Sequence, residues 1–349
     1  MYKSHFGLQR NPFEISPDPA FLYSTERHQE ALASLYYGVR KRSGFVVLTG
    51  EVGTGKTLIV RCLLEILSKN HVASAYVFNP RLTPVQLLQY ICGDLGLETS
   101  RSKAEMLLHL NQFLIDRHRQ DLETVLIVDE AHLLEPELLE EVRLLTNLET
   151  SQQKLLQIVL AGQPELDKVL DSRDLRQLKQ RITYRCKLMA FTLSDTRGYL
   201  KHRLAIAGAG ERSGTIFPEE TVEVVHRYSY GIPRLINTVC ENALISSYAL
   251  RLDQVPPTAI EEVACDLRLR VRNGQMSKRE DPLDLNEILT HEVLPAYGAH
   301  PSPANGGSVE KFDEEEVLVL DVVPGRRSTR KPAKSAKDED LDMEEGAKL

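Results

Sequence analysis

No stretch of the chain approaches the ~18 to 20 uncharged apolar residues that cross a bilayer, and the opening residues, MYKSHFGLQRNPF, carry no basic segment followed by an apolar core. Neither direct membrane insertion nor signal-peptide export is therefore expected. The five cysteines, Cys62, Cys92, Cys186, Cys240 and Cys265, lie far apart, with no CxxC and no Cys/His cluster. An odd number at such spacings argues against a disulfide framework and against a zinc site; a reducing, cytoplasmic compartment fits. A basic excess is missing as well. Of the 43 Lys and Arg residues 10, and of the 50 Asp and Glu residues 17, fall from Lys278 onward, so the net charge of -7 resides there and the preceding 277 residues are formally neutral. A neutral body exerts no global pull on nucleic acid, although a local basic patch escapes this argument.

What the chain does contain is patterned. Its 349 residues, 42% hydrophobic and 27% charged, suffice for two or three compact units with real cores. Up to residue 192, short β-rich runs alternate with helical stretches, the pattern of an α/β domain on a parallel sheet. Phe45 to Gly50 (FVVLTG) reads as a buried strand ending in glycine, and Thr57 to Ser68 continues as a helix with Ile59 and Leu63 on one face. Further strands are expected at Ser74 to Phe78, Thr124 to Val128, Leu155 to Ala161 and Tyr184 to Ala190. Helix starts are marked by Thr83 before Pro84, by Ser102 with Glu105 three residues on, and by Glu135 before Pro136. Arg27 to Arg42, with Leu32, Leu35, Tyr36 and Val39 on one face, forms a helix ahead of the first strand.

From Leu193 to about Arg270 only helical patterns remain, centred on 195–207, 218–229, 232–250 and 257–269, with the Gly-rich stretch 207–218 read as a plain loop. This predicts a small all-helical domain. Residues 271–349 alternate charge runs with Pro- and Gly-rich segments and have few apolar side chains to offset the entropy of ordering, the composition of a disordered tail. One island, Val317 to Val323 (VLVLDVV), follows the acids Asp313 to Glu316 and has the character of a strand that adds to a partner's sheet edge; a chance apolar run in a solvated tail accounts for it more simply. The expected organisation is thus 1–192, 193–270 and 271–349.

The chemistry concentrates in a few places. Gly50-Glu51-Val52-Gly53-Thr54-Gly55-Lys56-Thr57 matches G-x-x-x-x-G-K-[ST] and lies between a predicted strand and a predicted helix, as that phosphate-binding loop requires. Its glycines permit close approach of backbone N–H groups to phosphates, helped by the positive end of the following helix. Lys56 would then reach the β and γ phosphates and the Thr57 hydroxyl would ligate Mg²⁺. About 70 residues on, Thr124-Val-Leu-Ile-Val-Asp129-Glu130 is an apolar strand ending in two carboxylates. A parallel strand delivers its C-terminal end to the ligand crevice, which suits Asp129 to the metal shell and Glu130 to orienting or deprotonating an attacking water.

Residues 129 to 132 spell Asp-Glu-Ala-His, but a helicase of that type needs two tandem nucleotide-handling domains, and His132 reads more simply as a first-turn helix residue near the site. Gln163 follows the strand LQIVLA and is a candidate contact to the γ-phosphate or the water. Arg181, ahead of the last strand, is a candidate arginine finger for a neighbour's site, in competition with Arg176 and Arg185. Arg234, in GIPRLIN, starts a helix of the second domain from which it could reach back to the nucleotide.

Taken together, FGL..NPF and PDPAFLY (Phe6 to Tyr23), GFVVLTGEVGTGKT, LIVDEAH, LAGQPEL, LRQLKQRI and GIPRLIN resemble an AAA+ ATPase, and more narrowly the ExeA/GspA group of general secretion pathway ATPases, over about residues 1 to 270. The resemblance implies Lys56 and Thr57 as Walker A, Asp129 and Glu130 as Walker B, Gln163 as sensor 1, Arg181 as finger and Arg234 as sensor 2. It also implies a P-loop sheet of order 5-1-4-3-2 with a helical lid, ATP and Mg²⁺ as cofactors, and a homo-oligomer. Secretion members of the group continue into a membrane helix and a peptidoglycan-binding domain that have no counterpart in these 349 residues. The expectation is therefore a soluble form whose energy reaches a secretion, pilus or polysaccharide-export machine through a protein partner. The competing expectation is a DNA-associated AAA+ adaptor of the transposition-helper or replication-initiator type, against which stand the neutral body and the lack of a winged-helix segment.

Overall fold

The computed structural model describes residues 2–270, except 43, 152 and 174. The expected tail, with its Val317 to Val323 island, lies outside the described residues. Five parallel strands form the sheet: β1 (Phe45–Gly50), β2 (Ala73–Val77), β3 (Thr124–Val128), β4 (Gln157–Gly162) and β5 (Ile182–Leu188). Their spatial order is β2-β3-β4-β1-β5, which is the 5-1-4-3-2 order that the resemblance implies, written from its other edge. The helices are α1 (Tyr2–Phe6), α2 (Glu26–Arg40), α3 (Lys56–Lys69), α4 (Pro84–Asp94), α5 (Lys103–Arg119), α6 (Pro136–Leu145), α7 (Glu165–Leu170), α8 (Arg176–Lys179), α9 (Leu193–Leu204), α10 (Glu219–Ser229), α11 (Pro233–Ala249) and α12 (Pro257–Asp266).

The sheet is covered on both faces, which is why its central strands read as unbroken apolar runs. Every residue of β1, β3 and β4 is buried, whereas the edge strand β5 alternates half-buried with exposed positions up to Cys186 and Lys187. Because successive strand side chains point to opposite faces, Phe45, Val47, Leu126, Val128, Ile158 and Leu160 pack with α4, α5 and α6. Val46, Leu48, Val125, Ile127, Val159 and Ala161 pack on the other side with Leu35 and Val39 of α2 and Ile59, Leu63 and Leu67 of α3. Thr83 closes a capping box with Gln86, and Ser102 accepts from the Glu105 N–H, so two of the three expected helix starts are built by their caps; Glu135 makes no such bond.

A third core joins α9 to α12 through Leu200, Leu204, Val225, Ile236, Val239 and Ile260. Tyr2, Phe6, Leu8 and Phe13 are buried in this same cluster, so the start of the chain packs with its helical end, and the Tyr2 hydroxyl sits 2.8 Å from both carboxylate oxygens of Glu241 in α11. The stretch read as a plain loop is more structured than that. Ala205–Ala209 forms a π turn and Gly210–Gly214 a 3-10 turn, with Gly208 at φ 103°. The departure from α-helix frees the Ala207 carbonyl, and it accepts from the N–H groups of Gln9 and Arg10, while the Gln9 side chain rests over Gly208. Among the described residues no helix is long and apolar enough to cross a membrane.

Candidate active site

The loop between β1 and α3 is shaped by its own hydrogen bonds: Thr54 donates from its hydroxyl (2.8 Å) to the Glu51 carbonyl, and α3 begins at Gly55 with no side-chain cap. The first N–H groups of α3 therefore point out of the helix end toward whatever anion lies there. Lys56 is only 5% exposed, and its ammonium donates to the Gly50 and Glu51 carbonyls at 2.8 and 3.0 Å. Burial pushes its pKa down, against the pull of Glu130, Asp129, Glu51 and Glu165. A buried cation whose direct acceptors, among the described residues, are carbonyls of its own loop, beside an uncapped helix end, fits a polyphosphate.

The first turn of α3 and the end of β3 are joined by a hydrogen bond: the Thr57 hydroxyl donates to Asp129 Oδ2 at 2.9 Å. The other oxygen, Oδ1, accepts from the Glu130 N–H at 2.9 Å. The sequence reading missed Tyr76, whose hydroxyl donates to Asp129 Oδ2 at 3.2 Å from the neighbouring strand β2; burial and then the Asp129 carboxylate push the phenol pKa up. The Thr57 hydroxyl and the Asp129 carboxylate form an oxygen pair of the kind Mg²⁺ takes in company with phosphate oxygens and waters. Among the described residues no group of three or more His, Cys, Asp or Glu side chains could hold a metal unaided, so those phosphates would have to complete the shell.

Glu130 adopts a left-handed backbone (φ 50°, ψ 34°), a conformation that non-glycine residues rarely hold. It precedes a short 3-10 turn, Ala131–Leu133, that contains His132. His132 Nδ1 lies 3.4 Å from Glu130 Oε2 and also 3.4 Å from the Gln163 N–H, which donates to it. That donation requires an unprotonated Nδ1, and burial pushes the imidazole pKa down, so His132 is a neutral link between the ends of β3 and β4.

Arg234 is held against the loop from the helical side. Its N–H donates to the Gly53 carbonyl at 3.2 Å, and its side chain makes no hydrogen bond or ion pair among the described residues. Gly53 has φ 78°, and a methyl group there would come within 2.6 Å of Arg234 Cβ. A cavity of about 330 Å³ runs between the loop and the helical part. Gly53, Gly55, Lys56, Thr57, Glu130, Gln163 and Arg234 all line it, so the fold brings most of the residues singled out in the sequence to one place. Val52 lines it as well, Asp129 stands behind Thr57, and Gly50, Glu51 and Thr54 brace the loop.

Arg181 is not in that group. It donates to Thr146 Oγ1, to Asn147 Oδ1 at 2.9 Å and to the Arg143 carbonyl at 3.4 Å, all at the end of α6. Of its two competitors, Arg185 is paired with Asp167 (3.1 Å) and Asp171 (3.4 Å), and Arg176 is exposed on α8. The sequence also missed the far wall of the cavity, made by Glu14 to Pro17 with Tyr199, Arg203 and Asn237. Its missed neighbour His28 is buried against Phe191 under the loop.

Residues 39–170 match the family model described as an AAA domain, a range that contains the loop, Asp129, Glu130 and Gln163. The chain is 47% identical over 251 residues to general secretion pathway protein A of Aeromonas hydrophila, a match that takes in 71% of this chain and 45% of that protein, so the chain spans about half the length of this curated relative. Among solved structures, the ORC2 protein of Aeropyrum pernix, in ADPNP–ADP complexes, superposes with a TM-score of 0.57 at 18% identity, over 74% of this chain and 72% of that one. CDC6P from Pyrobaculum aerophilum gives a TM-score of 0.55 at 17% identity, over 76% and 70%. These two likenesses concern the fold.

Proposed function

We propose that this chain, a relative of general secretion pathway protein A with an AAA domain over residues 39–170, binds ATP with Mg²⁺, hydrolyses it, and uses the cycle to drive an envelope or secretion machine. The observation that carries the reading is the 2.9 Å bond from Thr57 to Asp129, which joins the phosphate loop to the acidic strand end beside a cavity lined by both Lys56 and Glu130.

In this reading Lys56 exchanges its two carbonyl partners for phosphate oxygens, and the uncapped start of α3 meets the same charge. Thr57 and Asp129 would hold Mg²⁺, which supplies neutralisation of charge on the phosphates. Glu130 orients a water and takes its proton, with Gln163 beside it on the neutral His132 link. Arg234, whose side chain is unpaired among the described residues, is a cation on the cavity wall. Its attraction to the γ-phosphate favours a closed arrangement of the helical residues 193–270 over the P-loop unit, and loss of that phosphate releases it. Arg181, with Arg176 and Arg185 as rivals, would serve the site of an adjoining copy in a homo-oligomer. The identity with a secretion-pathway protein favours a partner in secretion, pilus or polysaccharide-export machinery.

The test is a pair of variants. Lys56→Ala is expected to abolish ATP binding, whereas Glu130→Gln retains ATP and loses turnover. Turnover in either variant equal to that of the unaltered protein would remove the proposed site.

A further inference from the structure

One wall of the cavity is not made by any nucleotide-binding motif. The loop, Lys56 and Thr57 fix where a triphosphate ends, so the rest of a nucleotide must fill the space toward Glu14 to Pro17. Those four residues are open backbone: Ile15 is 57% exposed and lies in no helix or strand. Something must hold them.

The holder is Arg203, in the last turn of α9. Its Nε donates to the Pro12 carbonyl, its Nη2 donates to the Glu14 carbonyl at 2.9 Å, and its guanidinium lies 4.4 Å from the centre of the Phe21 ring. It is 4% exposed and forms no ion pair among the described residues. A buried guanidinium without a carboxylate is costly, and burial pushes its pKa down. Apolar side chains of that size would serve a core better. What they lack is a planar fork that grips two carbonyls of one segment, those of Pro12 and Glu14. At the other end of the segment Arg61, on the exposed face of α3, donates to the Pro17 carbonyl at 2.9 Å. Residues 12–17 thus hang as a strap between α9 and the helix that follows the phosphate loop.

We infer that Arg203 is a positioning residue for nucleotide binding: it fixes residues 12–17 as a strap that closes the base-and-ribose end of the cavity, with Arg61 tying the other end. The inference rests on the reading of this cavity as an ATP site. It separates two parts of the ligand, since among the described residues Arg203 donates to Pro12 and Glu14 and not to the loop that would hold the phosphates.

Binding of ATP and of inorganic tripolyphosphate, each by displacement of a fluorescent ATP analogue from the full chain in Mg²⁺ buffer, tests it. Arg203→Met is expected to weaken ATP at least tenfold and tripolyphosphate less than twofold. Arg203→Lys keeps the charge without the fork and should lose nearly as much ATP affinity as Arg203→Met. Arg61→Met, at an exposed position where folding is not at stake, should weaken ATP several-fold with tripolyphosphate again unchanged. Equal losses for both ligands, or no loss for either in the Arg61 variant, would overturn the inference while leaving the ATP site standing. Failure of the unaltered protein to bind either ligand would instead overturn the reading of the site itself.

Discussion

Gly53 is a point at which the loop 50–57 and the helical part of the chain touch, and replacing it measures that contact. A Cβ built there meets Arg234 Cβ at 2.6 Å and Ile232 Cγ2 at 3.1 Å, both atoms at the rigid base of α11. The backbone has φ 78°, which adds the penalty of an L-residue in the left-handed region, about 1 to 2 kcal/mol. Gly96, at φ 72° with nothing within 4 Å of its would-be Cβ, carries that penalty alone. The difference between Gly53→Ala and Gly96→Ala is therefore the clash, about 1 to 3 kcal/mol for overpacking, and more if the Arg234 N–H loses the Gly53 carbonyl. For a structured body of this size a difference near 2 kcal/mol corresponds to about 4 to 8 °C in Tm. Thermal melts of both variants without nucleotide, followed by circular dichroism, give the comparison directly. Gly53→Ala melting at the same temperature as Gly96→Ala would show that the loop and α11 are not packed together, and with that the role given to Arg234 would fall.

Other outcomes follow from the same geometry. His28 is buried between Phe191 and the loop, and burial holds its pKa below the ordinary value in spite of the nearby Asp195. The folded state therefore favours the neutral ring, so its contribution is complete above the unfolded pKa of about 6.5 and declines as pH falls below it toward the lowered folded value; His28→Gln should flatten the fall of Tm with acid, leaving the smaller slope from His132 and His226, and an unchanged slope would refute the placement. Arg181→Ala should retain ATP binding and lose about a thousandfold or more in turnover, and mixing it with Lys56→Ala should restore activity by pairing one intact loop with one intact arginine; mixtures no more active than their parts would assign the finger elsewhere. Because the body is formally neutral, duplex DNA should bind weakly and dissociate as salt rises to physiological levels; a complex stable at that salt, measured by fluorescence anisotropy, would favour the DNA-adaptor reading.

Much of the framework was legible in local pattern. β1 and β3 occupy the residues expected, because a fully buried strand is a continuous apolar run closed by a polar or glycine residue. Their neighbours slid by one or two residues: β2 covers Ala73–Val77, β4 Gln157–Gly162 and β5 Ile182–Leu188. Edge strands and strand ends depend on pairing with a partner, so their limits are set across the sheet rather than along the chain. That the loop 50–57 would lie beside Asp129 was likewise readable, since parallel strands deliver their C-terminal ends to one edge of the sheet. Tyr76 carried no such mark; only the register that sets it opposite Ile127 brings its hydroxyl to Asp129.

The sequence by itself determined the glycine-rich loop 50–57, the acidic strand end and the parallel sheet that sets them side by side, because each is encoded by side chains acting over a few residues. Tertiary structure alone decided that the start of the chain packs into the helical core and that Arg203 reaches Pro12 across 191 positions. The reason is physical: the strap is recognised through main-chain carbonyls, which every residue possesses, so the choice of Pro12 and Glu14 leaves no trace in their side chains.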